Sequence, residues 1–136
     1  MSKTRTFTGC ILAAIAAASA LAAGCGDDGP ESKVNVSLSS FVVQADVTTV
    51  AAGKTEFTAK NTEQKDIHEL AVLRVKDDGS YENLGEVEDI DPGKGGSVTI
   101  DLKAGKYLLA CLIAAGEAGS TEDHFAKGMR LDFTVE

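Results

Sequence analysis

Met129-Arg130-Leu131-Asp132-Phe133-Thr134-Val135, at the end of the 136-residue chain, alternates apolar and polar residues without a break. A period of two puts every second side chain on one face, which describes a strand with one buried side; a helix would need apolar residues at i, i+3 and i+4. The same alternation runs through Val98, Ile100 and Leu102 against Ser97, Thr99 and Asp101. It recurs in Phe57 and Ala59 against Glu56, Thr58 and Lys60, and in Val34, Val36 and Leu38 against Asn35 and Ser37. Turn signals separate the runs: Ala52-Gly53-Lys54, Asp77-Asp78-Gly79, Asp91-Pro92-Gly93 and Ala104-Gly105-Lys106. Seven or eight short strands within residues 33–136 predict an all-β domain, an antiparallel β-sandwich. A long helix has no place in this pattern, although Glu117 to Lys127 has room for a helical turn.

One domain fits a chain of this length with 43% hydrophobic residues. Lys and Arg number 13 against 21 Asp and Glu. That acidic balance argues against a nucleic-acid partner, which rewards basic surfaces. The sequence holds no phosphate-cradling glycine loop, no calcium-loop spacing and no Ser, His and Asp set in a motif context, so an enzyme is not expected.

Residues 1–24 have the parts of a signal peptide: Lys3 and Arg5, then an uncharged Ala- and Leu-rich run from Phe7 to Ala23. The run falls short of the roughly 20 apolar residues a spanning helix needs. It ends in Leu21-Ala22-Ala23-Gly24-Cys25, which resembles the lipobox of bacterial lipoproteins, with Ala22 where Leu is favoured. The resemblance implies cleavage before Cys25 and lipidation of its sulfur, giving a stable membrane anchor; the alternative is an ordinary secretory signal. Residues 25–32 would be the lipidated Cys and a flexible tether, rich in Gly and acids. The domain, residues 33–136, would then stand in the cell envelope, close to its membrane and facing the periplasm or the exterior.

Cys10 leaves with the leader and Cys25 is taken by lipid, so Cys111 remains alone, with no internal disulfide partner. It is either a buried small hydrophobe or a metal ligand. The chain also has two histidines, His68 and His124, and one methionine besides the initiator, Met129. Two imidazoles, a thiolate and a weak axial thioether are the ligand set of a blue-copper site. Cys111 ends a strand on the face of Tyr107 and Leu109. Met129 begins the next strand, His124 lies in the loop between them, and His68 opens a distant strand.

These residues carry a resemblance to the cupredoxins, the plastocyanin and azurin superfamily. Val50 to Asn61 is similar to that family's segment of Gly turn, strand and Asn, with His68 following where a first ligand is expected. Ile90-Asp91-Pro92-Gly93, the strand Ser97–Leu102 and Ala104-Gly105-Lys106-Tyr107-Leu108-Leu109-Ala110-Cys111 resemble its approach to the copper cysteine. His124-Phe125-Ala126-Lys127-Gly128-Met129 resembles its second His and Gly-Met. The resemblance implies a Greek-key sandwich holding one type 1 copper, with His68, Cys111, His124 and Met129 as ligands. It implies a monomeric electron carrier that meets a redox partner transiently at the membrane face, with His124 nearest the surface as the electron exit. Copper delivery, storage or tolerance, and a metal-free interaction domain, are the alternative functions.

Two departures from the family pattern stand out. Twelve residues separate Cys111 from His124, where better-known members have a handful. Glu69 follows His68 where many have an Asn that helps fix the thiolate, and an ionised carboxylate cannot donate that hydrogen bond.

Overall fold

Nine strands form within residues 29–136, the part of the chain that the computed structural model describes. The expected leader, Cys25 and the first tether residues lie outside the described residues. The strands are β1 (Ser32–Ser39), β2 (Val42–Ala45), β3 (Thr49–Val50), β4 (Gly53–Asn61), β5 (His68–Val75), β6 (Tyr81–Ile90), β7 (Gly95–Leu102), β8 (Gly105–Ala110) and β9 (Arg130–Val135). They build one sheet in the order β2-β1-β4-β7 and another in the order β3-β9-β8-β5-β6. The all-β sandwich expected from the sequence is the fold found. Among the described residues, no helix is long and apolar enough to cross a membrane.

Each alternating run becomes a strand whose apolar set points into one core. Val34, Val36 and Leu38 of β1 meet Phe57 and Ala59 of β4, and from the opposite sheet Tyr107, Leu109, Phe133 and Val135. Phe57 and Phe133 bridge the two sheets edge to face, with ring centroids 5.5 Å apart. β5 reads differently because it lies between β8 and β6 and is covered on both sides. Leu70 and Val72 enter the main core, while Ala71 and Leu73 join Leu108 and Ala110 in a second cluster on the outer face. Its run Leu70-Ala71-Val72-Leu73 therefore shows no alternation.

Two of the seven pairings run parallel, β1 with β4 and β3 with β9. Alternation fixes which face a residue occupies and says nothing about the direction of the neighbouring strand. The described chain is engaged one residue before β1, where Glu31 N–H donates to the Lys54 carbonyl at 2.7 Å. The predicted turns form at Gly79 (φ 80°) and Gly93 (φ 72°), both in the left-handed region where glycine avoids the Cβ penalty.

Two buried polar side chains brace the ends of the sandwich. Asn61, at the end of β4, donates from Nδ2 to the carbonyls of Asp66 and Ile90, both at 2.8 Å, and accepts Glu63 N–H at 2.9 Å. It thus shapes the loop that delivers His68. Tyr107 is buried to its hydroxyl, which donates to the Lys103 carbonyl at 2.7 Å. Tyr107→Phe keeps the ring and strands that carbonyl, so it should cost about 1 kcal/mol in urea denaturation; no measurable loss would show that water replaces the bond.

Candidate metal centre

Three sequence elements that are far apart converge at one end of the sandwich. His68 is the first residue of β5, Cys111 follows the last residue of β8, and His124 sits in the connection from β8 to β9. All three are buried, and their ligand atoms lie within 4.8 Å of one another. His124 Nδ1 is 3.3 Å from Cys111 Sγ and 3.3 Å from His68 Nδ1.

The backbone enforces this meeting. Cys111 N–H donates to the Met129 carbonyl, Met129 N–H donates to the His124 carbonyl, and His124 N–H donates to the Ile113 carbonyl, at 3.1, 3.0 and 2.9 Å. The long connection is thus pinned close to both of its ends. Between these pins it folds into turns, stitched by Gly116 N–H to Ser120 O and Ser120 N–H to Glu117 O, both at 2.8 Å. The expected helical turn is present: Lys127 N–H bonds the Asp123 carbonyl at 3.0 Å, and the Asp123 carboxylate caps it by accepting Ala126 N–H at 2.8 Å. Its two neighbouring residues go opposite ways. His124 turns into the site, and Phe125 packs on the outer cluster beneath the Arg130 guanidinium, 4.8 Å from its ring centroid.

Met129 is fully buried in the core cluster that includes Cys111, and its backbone bonds tie it to both Cys111 and His124. Cys25, the expected lipid site, lies outside the described residues. The structure therefore brings His68, Cys111 and His124 together by their side chains and Met129 beside them by its backbone.

Burial governs the charges here. It lowers the pKa of His68, assisted by the neighbouring His124, and lowers that of His124. It raises the pKa of Cys111, against the pull of the Ile113 and Glu69 backbone N–H groups. Burial thus favours the neutral form of all three groups, which leaves imidazole lone pairs free to bind. His68 Nε2 is buried with no hydrogen-bond partner among the described residues.

Glu69 resolves the apparent loss of a donor to the sulfur. Its backbone N–H donates to Cys111 Sγ at 3.4 Å, and its side chain serves elsewhere: Oε1 accepts Leu112 N–H at 2.8 Å. Burial raises the Glu69 pKa, opposed by that same Leu112 bond. The carboxylate clamps the residue after Cys111 to the residue after His68. Glu69→Gln retains an acceptor for Leu112 and should stay within about 0.5 kcal/mol of wild type, whereas Glu69→Ala should lose about 1 kcal/mol or more. Equal losses in the two variants, read by urea denaturation, would rule out the clamp.

His124 is only 2% exposed. It is still the less buried of the two histidines, His68 being 0% exposed, but the connection wraps it and Phe41 packs edge-on against its ring at 5.3 Å. Sequence reasoning missed Phe41, Asn61 as a brace for the His68 loop, and Ser120, whose Oγ is 3.0 Å from His124 Nε2. A Ser four residues before a candidate ligand was the only available signal for the last of these.

The donor set fits a first-row transition metal. Donor atoms about 2.0–2.3 Å from a metal ion lie roughly 3.3–3.7 Å apart for two nitrogens or a nitrogen and a sulfur at angles between tetrahedral and trigonal; the two closest contacts, at 3.3 Å, stand at the short end of that range, and all the ligand atoms fall within 4.8 Å of one another. One sulfur with two imidazoles suits copper, whose two oxidation states favour soft and borderline ligands respectively.

No curated protein sequence matches the chain at a significant level. Solved structures do resemble its fold. Auracyanin from the photosynthetic bacterium Roseiflexus castenholzii has a TM-score of 0.61 at 19% identity, covering 79% of this chain and 99% of that one. Rusticyanin from Thiobacillus ferrooxidans gives 0.59 at 15% identity, covering 79% of each chain. Auracyanin A, a "blue" copper protein from Chloroflexus aurantiacus, gives 0.54 at 15% identity, covering 79% of this chain and all of that one. A family model described as a cupredoxin-like domain matches residues 9–119, a span that includes His68 and Cys111. By that match, over most of its length, the chain belongs to the cupredoxin-like domain family.

Proposed function

We propose that the chain is a blue-copper electron carrier, anchored to a membrane through lipid on Cys25 and without catalytic activity of its own. The observation that carries this reading is the buried cluster of His68, Cys111 and His124. Cys111 would supply a thiolate, giving up its proton as metal binds. His68 and His124 would each offer Nδ1, and Met129 would add its thioether sulfur. When bound, copper supplies a one-electron couple that the imidazoles and the sulfur tune together.

The protein's own residues do the rest. Glu69 N–H holds the sulfur, the Glu69 carboxylate locks the two ligand-bearing segments together, and the core clamps them against movement. A site held this tightly resists rearrangement between oxidation states. Phe41 and the 112–123 connection shield the cluster from water, so electrons would cross a thin protein layer to a transient redox partner at the membrane face. The named blue copper protein among the structural neighbours supports the metal assignment.

Adding Cu(II) to the metal-free protein should produce an intense visible thiolate-to-copper band that saturates at one copper per chain and bleaches reversibly on reduction. A protein that stays colourless and takes up no copper would falsify the reading.

A further inference from the structure

The connection between Cys111 and His124 does more than cover the cluster. Ser120 Oγ touches three polar groups: His124 Nε2 at 3.0 Å, the Glu122 carbonyl oxygen at 3.0 Å and the Glu122 amide nitrogen at 3.1 Å. A serine hydroxyl has one proton and two lone pairs. The carbonyl can only accept, so it takes the proton. The amide can only donate, so it occupies one lone pair. The second lone pair faces Nε2, and that contact is satisfied only if Nε2 carries the ring proton. Nδ1 is then the bare nitrogen of the neutral ring, and Nδ1 is the atom 3.3 Å from Cys111 Sγ.

We propose that Ser120 is a positioning residue that holds His124 in the Nε2–H tautomer and presents its Nδ1 to the metal. The metal half of this statement rests on the copper reading above; the tautomer does not. A partner on the remote nitrogen fixes the tautomer and the orientation of a ligating imidazole. At 2% exposure His124 has little bulk water to compete with the serine, and the edge of Phe41 packs on the ring as well. His68 makes the contrast, since its own Nε2 has no partner among the described residues. Among the described residues, His124 is the imidazole whose remote nitrogen is tied.

The test uses the full-length, metal-free protein labelled with nitrogen-15 at histidine alone. The chain has two histidines, so at most two imidazoles report. Spectra are taken at about pH 8, where both rings are neutral, and His124 is assigned by the signals missing from His124→Gln. Wild type should show His124 with a pyrrole-type Nε2 and a pyridine-type Nδ1. Ser120→Ala should give averaged nitrogens from mixed tautomers and about a 10–100-fold weaker copper affinity. Ser120→Thr, which keeps the hydroxyl, should restore both. A wild-type His124 protonated at Nδ1 overturns the proposal, as does a Ser120→Ala protein with the wild-type pattern and affinity. A wild type with the expected tautomer that takes up no copper overturns the metal half alone.

Discussion

Cys111→Ser protein given Cu(II) should stay colourless under conditions that turn the wild type intensely coloured. The visible band of a thiolate–copper site belongs to the sulfur, so replacing Sγ by an oxygen removes its origin outright. Affinity should fall by more than about 100-fold, the upper end of what losing even an outer-shell partner costs a metal site. The fold should survive. Serine is nearly the size of cysteine, and its hydroxyl can accept the Glu69 N–H that now reaches the sulfur at 3.4 Å. Burying a hydrogen-bonded hydroxyl where a thiol stood costs roughly 1–2 kcal/mol, too little to unfold a domain of ordinary stability. The visible spectrum, the copper content and a denaturation curve check this together. A coloured Cys111→Ser protein would show that the band arises elsewhere, and the thiolate assignment would fall.

Much of this site could be read from the sequence because the sandwich imposes simple rules. Alternation put Tyr107, Leu109 and Cys111 on one face, and all three are buried in the same core cluster. It also put Met129 at the mouth of the last strand, one residue before β9 begins. Leu70 to Leu73 hid their arrangement because β5 is covered on both faces, so the period of two disappears. β2 was missed because it follows Ser39-Ser40-Phe41, a tight turn without Gly, Pro, Asn or Asp to announce it. The parallel neighbours of β1 and β9 could not be read at all, since strand direction leaves no mark on a single strand's pattern. The role of Glu69 was misjudged for a similar reason. Its side chain was weighed as a donor to the sulfur, while the donation comes from its backbone, which every non-proline residue possesses. Ser120 was out of reach because the path of a 12-residue connection is set by its own hydrogen bonds.

The opposite pattern is expected of Phe133→Ala, which should weaken the fold while leaving the His68, Cys111 and His124 cluster intact. Phe133 on β9 and Phe57 on β4 are both fully buried and meet edge to face between the two sheets. Truncating either one removes its transfer free energy and leaves a cavity that neighbours held in two sheets cannot easily close. The cost should be about 3–5 kcal/mol for each single variant, a large share of the 5–15 kcal/mol typical of a whole domain. In urea this should lower the midpoint by more than about 1 M. The double variant should lose less than the sum of the singles by roughly 0.5–1.5 kcal/mol, because the edge-to-face interaction is removed once and not twice. The cluster should keep its copper band under native conditions, since His68, Cys111 and His124 are fixed by the backbone bonds of Ile113, Met129 and Glu69 at the end of the sandwich. Single variants that lose under about 1 kcal/mol would mean that the sheets collapse around the missing ring. A folded Phe133→Ala protein without the band would mean that the ligands depend on inter-sheet packing, and not on the local bonds that close the Cys111–Met129 segment.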